Sequence, residues 1–359
     1  MKRQLIIMTL VLGALVLVDR HLDRRESRTR LETLRIRKVV PPEVFKDRPI
    51  AAVRLETPDG RAFFYAHRQG VWRCLSFHGA IAVTGQIQSV LRKVMDARGV
   101  VQSQVSEYST NLASFGLGST QRWRLAFCGA KFKFNGDADV LFAIDLGAST
   151  QGARGCYVRP ADEARIWAID EDLTEGLALP SDGGLAPWLD PRLIPMAWPG
   201  WQSGLRRIIL ERSGKKPLQM LRRDKAPDET GTRAGAPPWD WVVSEDGPER
   251  VADVRQAYFY SQFLLQAPFA GLLPPARRRD LGLEEPQNRI RLEAVSGETL
   301  ELHLGPPTAA GSTPVFNTFS QSLYEIEPET VPLLLPEIEQ MLDPSRGNPW
   351  EPKTGRGTQ

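Results

Sequence analysis

Short runs of alternating apolar and polar residues, separated by turn residues, dominate the chain between residues 45 and 177. The first run, AAVRLETPDGRAFFYA, has the turn signal Pro58-Asp59-Gly60 between two strand-like halves, and a strand around Trp72 follows. Alternation with a period of two places successive side chains on opposite faces of a sheet. These runs therefore predict antiparallel hairpins or a meander, with a further hairpin at Asn135-Gly136.

The spacing of apolar residues becomes helical over residues 84–99. The apolar positions are Ile87, Val90, Leu91, Val94 and Met95. Positions three and four apart lie on one face of a helix, so the pattern predicts one amphipathic helix. Thr84 is a candidate N-cap and Gly99 a stop signal.

The same series of signals returns in the same order after residue 204. It contains an opening strand at 205–211, a tryptophan strand at Trp241, a helix capped by Asp253, and a strand that ends at Gly305. Repetition of a whole series indicates duplication of a structural unit. We therefore predict an α+β protein of two tandem related domains, each an antiparallel β-meander with one main amphipathic helix, after an N-terminal transmembrane helix.

The amino-terminal residues predict a membrane anchor. Residues 5–18, LIIMTLVLGALVLV, are apolar, and basic residues lie on both sides of them. As a helix this run is about 21 Å long, shorter than the roughly 30 Å hydrocarbon core, so a cleaved signal peptide and an interfacial or buried helix stay open as alternatives. We expect an uncleaved single-pass anchor, because small residues suited to cleavage do not follow the run.

The basic residues that flank the apolar run disagree about orientation. Lys2 and Arg3 favour a cytoplasmic amino terminus, whereas five arginines at positions 20–30 favour the reverse. Because the first residues resemble an export signal, we predict location in the cytoplasmic (inner) membrane with an extracytoplasmic, periplasmic body. The first forty residues contain ten basic and four acidic residues, and the remainder contains 36 basic and 39 acidic residues. A slightly acidic body argues against nucleic acid as a partner.

The domain organisation follows from these patterns. The predicted segments are an anchor at 1–25, a linker at 26–44, a first repeat domain at 45–180, a Pro/Trp-rich connector at 181–203, a second repeat domain at 204–342 and a disordered tail at 343–359. A polar insertion before Trp239 is predicted to be a loop.

The motif IDLGAST at residues 144–150 resembles the phosphate loop of sugar kinases and actin-like ATPases. In the second copy His303 stands in the place of Asp145, and prolines follow Gly305. Only the strand and its glycine are repeated, and a second phosphate loop or a Walker motif is absent from the sequence. We therefore expect no nucleotide at this motif.

Catalytic and metal-binding signatures are also missing from the sequence. The four histidines have no zinc-ligand spacing, and no nucleophile elbow occurs. We predict no catalytic residue, no cofactor and no metal site. Three cysteines permit at most one disulfide; the expectation is three small core side chains, and Cys128 with Cys156 is the pair that a periplasmic body would form.

The connector contains the one candidate interaction surface. Trp188, Trp198 and Trp201 lie among four prolines, which favour an extended chain. The three rings are either an exposed platform for a partner or glycan, or packing for the connector.

The order of these signals is similar to that of the family named domain of unknown function 4340. The first set of matching residues is Trp72, Phe115-Gly116-Leu117, Leu146-Gly147, Tyr157-Val158 and Ile166-Trp167. The second set is Trp241, Leu281-Gly282-Leu283, Leu304-Gly305, Val315-Phe316 and Leu323-Tyr324. Family members usually begin the helix with an Ala-Asp pair, which Ala252-Asp253 keeps and the first copy lacks.

The resemblance covers most of residues 45–335 and implies an auxiliary part of an ABC transporter system related to gliding-motility complexes. We accordingly predict a non-catalytic, membrane-anchored accessory or scaffolding subunit whose partners are membrane-complex proteins. The alternatives are an envelope glycan-binding protein, a hydrolase with a carboxylate pair between the two repeats, and a substrate-binding protein of a transporter.

Overall fold

The computed structural model describes residues 36–104, 111–134, 139–150, 155–175, 177, 185–225 and 239–351. The predicted anchor and the Asn135-Gly136 hairpin lie outside these residues. None of the helices in the described part of the chain is long and apolar enough to cross a membrane.

Ten of the described strands form a first sheet. They are β1 (Arg37–Lys38), β2 (Ala52–Glu56), β3 (Ala62–Arg68), β4 (Val71–Cys74), β5 (Ala80–Ile81), β6 (Arg98–Gln104), β7 (Trp123–Cys128), β8 (Val140–Ser149), β9 (Cys156–Pro160) and β10 (Arg165–Ile169). Their order across the sheet is β1-β6-β10-β9-β8-β7-β2-β3-β4-β5.

Nine further strands, again counted over the described residues, form a second sheet. They are β11 (Leu205–Glu211), β12 (Leu218–Asp224), β13 (Trp239–Ser244), β14 (Arg250–Val251), β15 (Gly271–Leu273), β16 (Asn288–Ala294), β17 (Thr299–Leu304), β18 (Thr313–Asn317) and β19 (Ser322–Ile326). Their order is β14-β13-β12-β11-β16-β17-β18-β19-β15.

The two sheets have the same connectivity. Apart from β1, each strand of the first sheet has its counterpart nine strands later in the chain, and the counterparts occupy the same places in the second sheet. Helix α1 (Thr84–Asp96) lies between β5 and β6, and helix α3 (Val254–Gln266) lies between β14 and β15. This shared order is what duplication of one folding unit produces.

The predicted α+β class is wrong, because the described chain consists of two large antiparallel sheets with few short helices. Helices α1 and α3 have 13 residues each, and α2 (Gly200–Ser203), α4 (Val331–Leu334) and α5 (Ile338–Leu342) are shorter. A 13-residue helix is about 20 Å long, whereas nine strands about 4.8 Å apart span roughly 38 Å. Each helix is thus a connection within one continuous sheet.

That continuity comes from strand pairs that are distant in sequence. Strand β2 pairs with β7 through Leu55 opposite Leu125, and β11 pairs with β16 through Ile208 opposite Leu292. Each pair joins the strands before a helix to the strands after it. Local alternation shows where strands are but does not show such pairings.

Both long helices lie where the apolar spacing predicted them. In α1 the residues Ile87, Val90 and Val94 are buried. The carbonyl of Val83 accepts the first backbone hydrogen bond, from Gln86 at 3.0 Å, so Thr84 is the first helical residue and not the cap.

The cap predicted for the second long helix is confirmed. The side chain of Asp253 accepts a hydrogen bond from the backbone N–H of Gln256 at 2.9 Å. This bond satisfies one of the unpaired donors of the first turn.

The described residues divide into two compact units. Those within Met1–Ala62 and Gln88–Gly176 form one unit, and those within Phe63–Ile87 and Leu177–Gln359 form the other. The predicted domain boundaries stay a prediction.

Two of the predicted irregular segments contain ordered structure. In the predicted linker, β1 pairs with β6 through Arg37 opposite Gly99. In the predicted tail, the ring of Trp350 lies 5.2 Å from that of Tyr260, and its indole N–H donates to the carbonyl of Leu333 at 3.0 Å. The part of the tail up to residue 351 is therefore folded.

Candidate functional site

The tryptophans predicted as an interaction surface belong to the packing of the connector. Trp188 and Trp198 are buried, and Trp201 is half-buried. The ring of Trp188 lies 5.0 Å from that of Tyr65, whose hydroxyl donates to the carbonyl of Pro187. This burial supports the packing interpretation for Trp188 and Trp198.

Trp201 is also held in place by its neighbours. Its indole N–H donates to the carbonyl of Ile194 at 3.0 Å, and the guanidinium of Arg192 lies 5.2 Å from the ring centroid. Arg192 in turn forms an ion pair with Asp190 at 2.8 Å. The ring is thus covered on one face by its own segment.

A different aromatic cluster, in the unit of the second sheet, borders an open groove. The groove has a volume of about 580 Å³. Its lining residues, which define the Trp239 groove, are Trp239, Asp240, Trp241, Asp253, Val254, Arg255 and Tyr258. A concave, aromatic site of this size suits a small ligand or the side chains of a partner.

Strand β13 supplies the floor of the Trp239 groove. Trp239 and Trp241 lie two residues apart on one face of the strand, with their rings 6.0 Å apart and nearly perpendicular at 83°. The guanidinium of Arg222 on β12 lies 4.4 Å from the Trp239 ring centroid. Edge-to-face packing and this cation–π contact fix the orientation of the rings.

The first turns of α3 supply the wall of the groove. Val254 and Tyr258 are both more than half exposed and lie four residues apart, on the same face of the helix. The core face of α3 carries Ala257, Tyr260 and Leu264. Val254 and Tyr258 therefore form a second apolar stripe, directed away from the core.

The charged residues of the groove are already engaged. Asp240 forms an ion pair with Lys225 at 3.1 Å, and Arg255 forms one with Glu351. Asp253, the third charged residue of the lining, accepts a hydrogen bond from the backbone N–H of Gln256. Because all three groups already have partners, the apolar rings dominate what the groove offers to a ligand.

The edge strands β5 and β14 occupy equivalent places in the two repeats. Ala82 donates its backbone N–H to the carbonyl of Trp72 at 2.8 Å, and Ala252 donates to that of Trp241 at 2.9 Å. The two edges are thus in the same register with their tryptophan strands.

The chain itself covers the edge of β5. Val83 donates its backbone N–H to the carbonyl of Trp188 at 2.7 Å, and Asp190 donates to that of Ile81 at 3.0 Å. Ile81 is 2% exposed as a result, whereas Val251, in the same place on β14, is 54% exposed. The connector adds a strand-like segment to one edge and leaves the other edge open at Val251.

At the β14 edge, a residue of helix α5 accepts the backbone hydrogen bond that corresponds to the one between Val83 and Trp188. Asp253 holds the place of Val83, and its backbone N–H donates to the carbonyl of Met341 at 2.9 Å. Within the part of the chain that the structure describes, the edge is therefore anchored beside the groove, and no second backbone bond corresponds to the one from Asp190.

Sequence patterns placed Trp241 and α3 correctly but missed the groove. The available signal was the pair Val254 and Tyr258, two apolar residues outside the core stripe of the helix. The floor could not be found in this way, because the exposure of Trp239 depends on what packs against the strand.

Metal-ligating and nucleophilic groups give no second site in the described residues. They contain no cluster of three or more His, Cys, Asp or Glu side chains able to hold a metal ion. Cys74, Cys128 and Cys156 are free and buried. Burial raises the pKa of Cys74 to about 12, that of Cys128 to about 11 and that of Cys156 to about 12.

Comparison with family models, curated proteins and solved structures found no match to this chain. The resemblance to the domain of unknown function 4340 family stays a prediction from the order of its motifs.

Proposed function

We propose that this chain is a membrane-anchored, non-catalytic accessory or scaffolding subunit of a membrane protein complex, and that it binds a partner protein through the Trp239 groove. The observation that carries the proposal is the exposed edge at Val251 beside the groove, in the place where the first repeat binds the chain's own connector.

The first repeat indicates what kind of segment fits. Its edge accepts an antiparallel bridge between Ala82 and Leu189, with Trp188 packed alongside. The occupant of the second edge is therefore an extended segment of the partner that carries an aromatic or leucine side chain. Strand addition supplies main-chain hydrogen bonds, and the groove accepts the side chain.

The composition of the groove supports a protein partner. Tryptophan, tyrosine and arginine are the residues that most often dominate binding energy at protein interfaces. Val251 on β14 and Val254 and Tyr258 on the first turns of α3 are three exposed apolar residues close together in the chain. Grouped exposed apolar residues mark interaction sites more often than isolated ones do.

The location is part of the proposal and rests on the sequence. The apolar run at 5–18 would anchor the chain in the cytoplasmic membrane, and the body would be extracytoplasmic. The family resemblance points to an ABC-transporter complex as the setting.

Site-specific cross-linking tests the proposal. A photoreactive benzoylphenylalanine is placed at Tyr258 or, as the control, at Gln266, which is exposed at the other end of the same helix. In native membranes we expect the probe at 258 to cross-link one membrane subunit in a fixed ratio, and Trp239→Ala to reduce that product at least tenfold.

Comparison of the probe at Tyr258 with the control at Gln266 shows which outcomes contradict the proposal. The proposal is overturned when both positions give the same products, when Trp239→Ala leaves the product unchanged, or when the probe at 258 captures no protein. Melting curves of each variant check that the fold is retained.

A further inference from the structure

A cluster of arginines lies on the first sheet around one buried carboxylate. Asp145 on β8 is fully buried, and three guanidinium groups reach it: Arg122 at 3.1 Å, Arg124 at 3.0 Å and Arg159 at 2.7 Å. We name these four residues the Asp145 cluster. They belong to one compact unit.

Strand register explains why these side chains converge. Arg124 on β7 is directly opposite Asp145, and Asp145 is directly opposite Arg159 on β9. Residues opposite each other in an antiparallel sheet place their side chains on the same face, about 5 Å apart. Arg122 precedes β7 and completes the cluster from the end of the strand.

The charges of the cluster do not balance. Among the residues that the structure describes, three guanidinium groups surround one carboxylate, which is a formal excess of two positive charges. Glu56 on β2 is the cross-strand neighbour of Arg124, but it forms its ion pair with Arg54 at 2.6 Å. Like charges held this close repel each other unless a further anion joins them.

The second repeat provides an internal comparison. In its equivalent row, Arg289 is opposite His303, which stands in the place of Asp145, and Phe316 stands in the place of Arg159. Here Arg289 pairs with Glu211 at 3.4 Å and with Glu301 at 3.7 Å. Arg291 also reaches Glu301, at 4.0 Å. Within these ion pairs two arginines meet two glutamates, so the positive excess belongs to the first repeat.

The arginines of the cluster can be reached from solvent. Their side chains remain 22%, 28% and 16% exposed for Arg122, Arg124 and Arg159 respectively, while the carboxylate beneath them is covered. Each guanidinium has five N–H donors in a planar fork. Arg122 and Arg159 each donate one hydrogen bond to Asp145, so most of these donors remain for a ligand. Such forks match the oxygens of a phosphate.

We propose that the Asp145 cluster binds a dianionic phosphate group. The two surplus positive charges match the charge of a phosphomonoester near pH 7, about −1.5 to −2. The buried carboxylate orients the three forks, and the phosphate oxygens accept from the N–H groups that remain. This site lies on a sheet face and is independent of the partner site at the Trp239 groove.

Titration of the full-length chain with inorganic phosphate tests the site. The chain is kept in mild detergent at pH 8 and constant ionic strength, with chloride as the reference anion, and binding is measured by calorimetry. We test Arg122→Gln and Arg159→Phe, which install the residues of the second repeat, Gln287 and Phe316. Arg291→Gln, which removes an arginine from the second sheet, is the matched control.

We expect each cluster variant to raise the phosphate dissociation constant at least tenfold and the control to change it less than twofold. The proposal is overturned when wild type shows no binding beyond that of chloride, or when Arg122→Gln binds as wild type does. Arg159→Lys keeps the charge without the fork, so an intermediate affinity is expected even where Arg159→Phe fails to fold.

Two further arms distinguish the source of the phosphate. Stronger flotation of wild type than of Arg122→Gln with phosphatidic acid vesicles identifies a lipid headgroup. Displacement of inorganic phosphate by glycerol 3-phosphate, with equal flotation of both chains, identifies a soluble phosphomonoester. Either result supports the site. The proposal is overturned when the chain binds neither probe.

Discussion

At the residue scale, the packing around Gly147 in β8 and around Gly305 directly after β17 explains why both repeats have a glycine at this place. A Cβ on Gly147 would lie 2.2 Å from the carbonyl oxygen of Phe115, and one on Gly305 would lie 2.6 Å from that of Leu281. Neither distance is compatible with a side chain. The glycine of the IDLGAST motif therefore permits the close approach of the Phe115–Leu117 segment, and the same device recurs in the second repeat.

Replacement of Gly147 by alanine tests this explanation. We expect Gly147→Ala to lower the free energy of unfolding by about 1–3 kcal/mol, because backbone must move to admit the methyl group. The measurement is urea denaturation of the full chain. Gly85→Ala, in helix α1 with no atom within 4 Å of the new Cβ, is the control, and it should stabilise by about 0.5–1 kcal/mol. Equal midpoints for the two variants would contradict the close-approach argument.

At the element scale, the connector is a structural part of its unit and not a loose linker. Trp198 is among the largest fully buried side chains, and its ring lies against Gly200, where a Cβ would be 2.2 Å from the indole. The proline-rich pattern correctly excluded a long helix from this segment. It could not show burial, because an extended chain in solvent and one packed on a sheet edge have the same local sequence signals.

Two tryptophan variants separate packing from recognition. We expect Trp198→Ala to cost about 3–5 kcal/mol of stability, as the loss of a large buried side chain does. Trp201→Ala removes a half-buried ring and should cost clearly less. Thermal or urea unfolding measures both. A small effect of Trp198→Ala, together with a loss of partner binding, would restore the platform interpretation.

At the scale of the whole molecule, buried cysteine thiols and tyrosine hydroxyls make the stability of the fold sensitive to alkaline pH. Burial raises the pKa of Cys74 and Cys156 to about 12, above the ordinary value of 9.0, and also raises the pKa of Tyr65 and Tyr260. A group whose pKa is higher in the folded state stabilises fully below its unfolded pKa and loses that contribution as the pH rises through the folded value. The free energy of unfolding should therefore fall as the pH rises from about 9 toward about 12.

Urea unfolding at pH 8 and at pH 10.5 checks this prediction. We expect a lower midpoint at pH 10.5, because the unfolded chain then loses protons that the folded chain keeps. Cys74→Ala removes one of these groups and should reduce the difference between the two midpoints, whatever it does to stability at pH 8. A midpoint that does not change with pH would contradict the prediction.

The sequence by itself determined many of the strands, the two long helices, the Asp253 cap and the duplicated order, because alternation, helical spacing and turn residues act between neighbours in the chain. Only the tertiary structure decided that the strands before and after each helix join in one sheet, since β2 with β7 and β11 with β16 are pairings between distant residues. The same distance in sequence hid the exposure of Trp239 and the convergence of Arg122 and Arg159 on Asp145. Burial and charge balance are properties of neighbours in space, and those neighbours exist only after the sheets have formed.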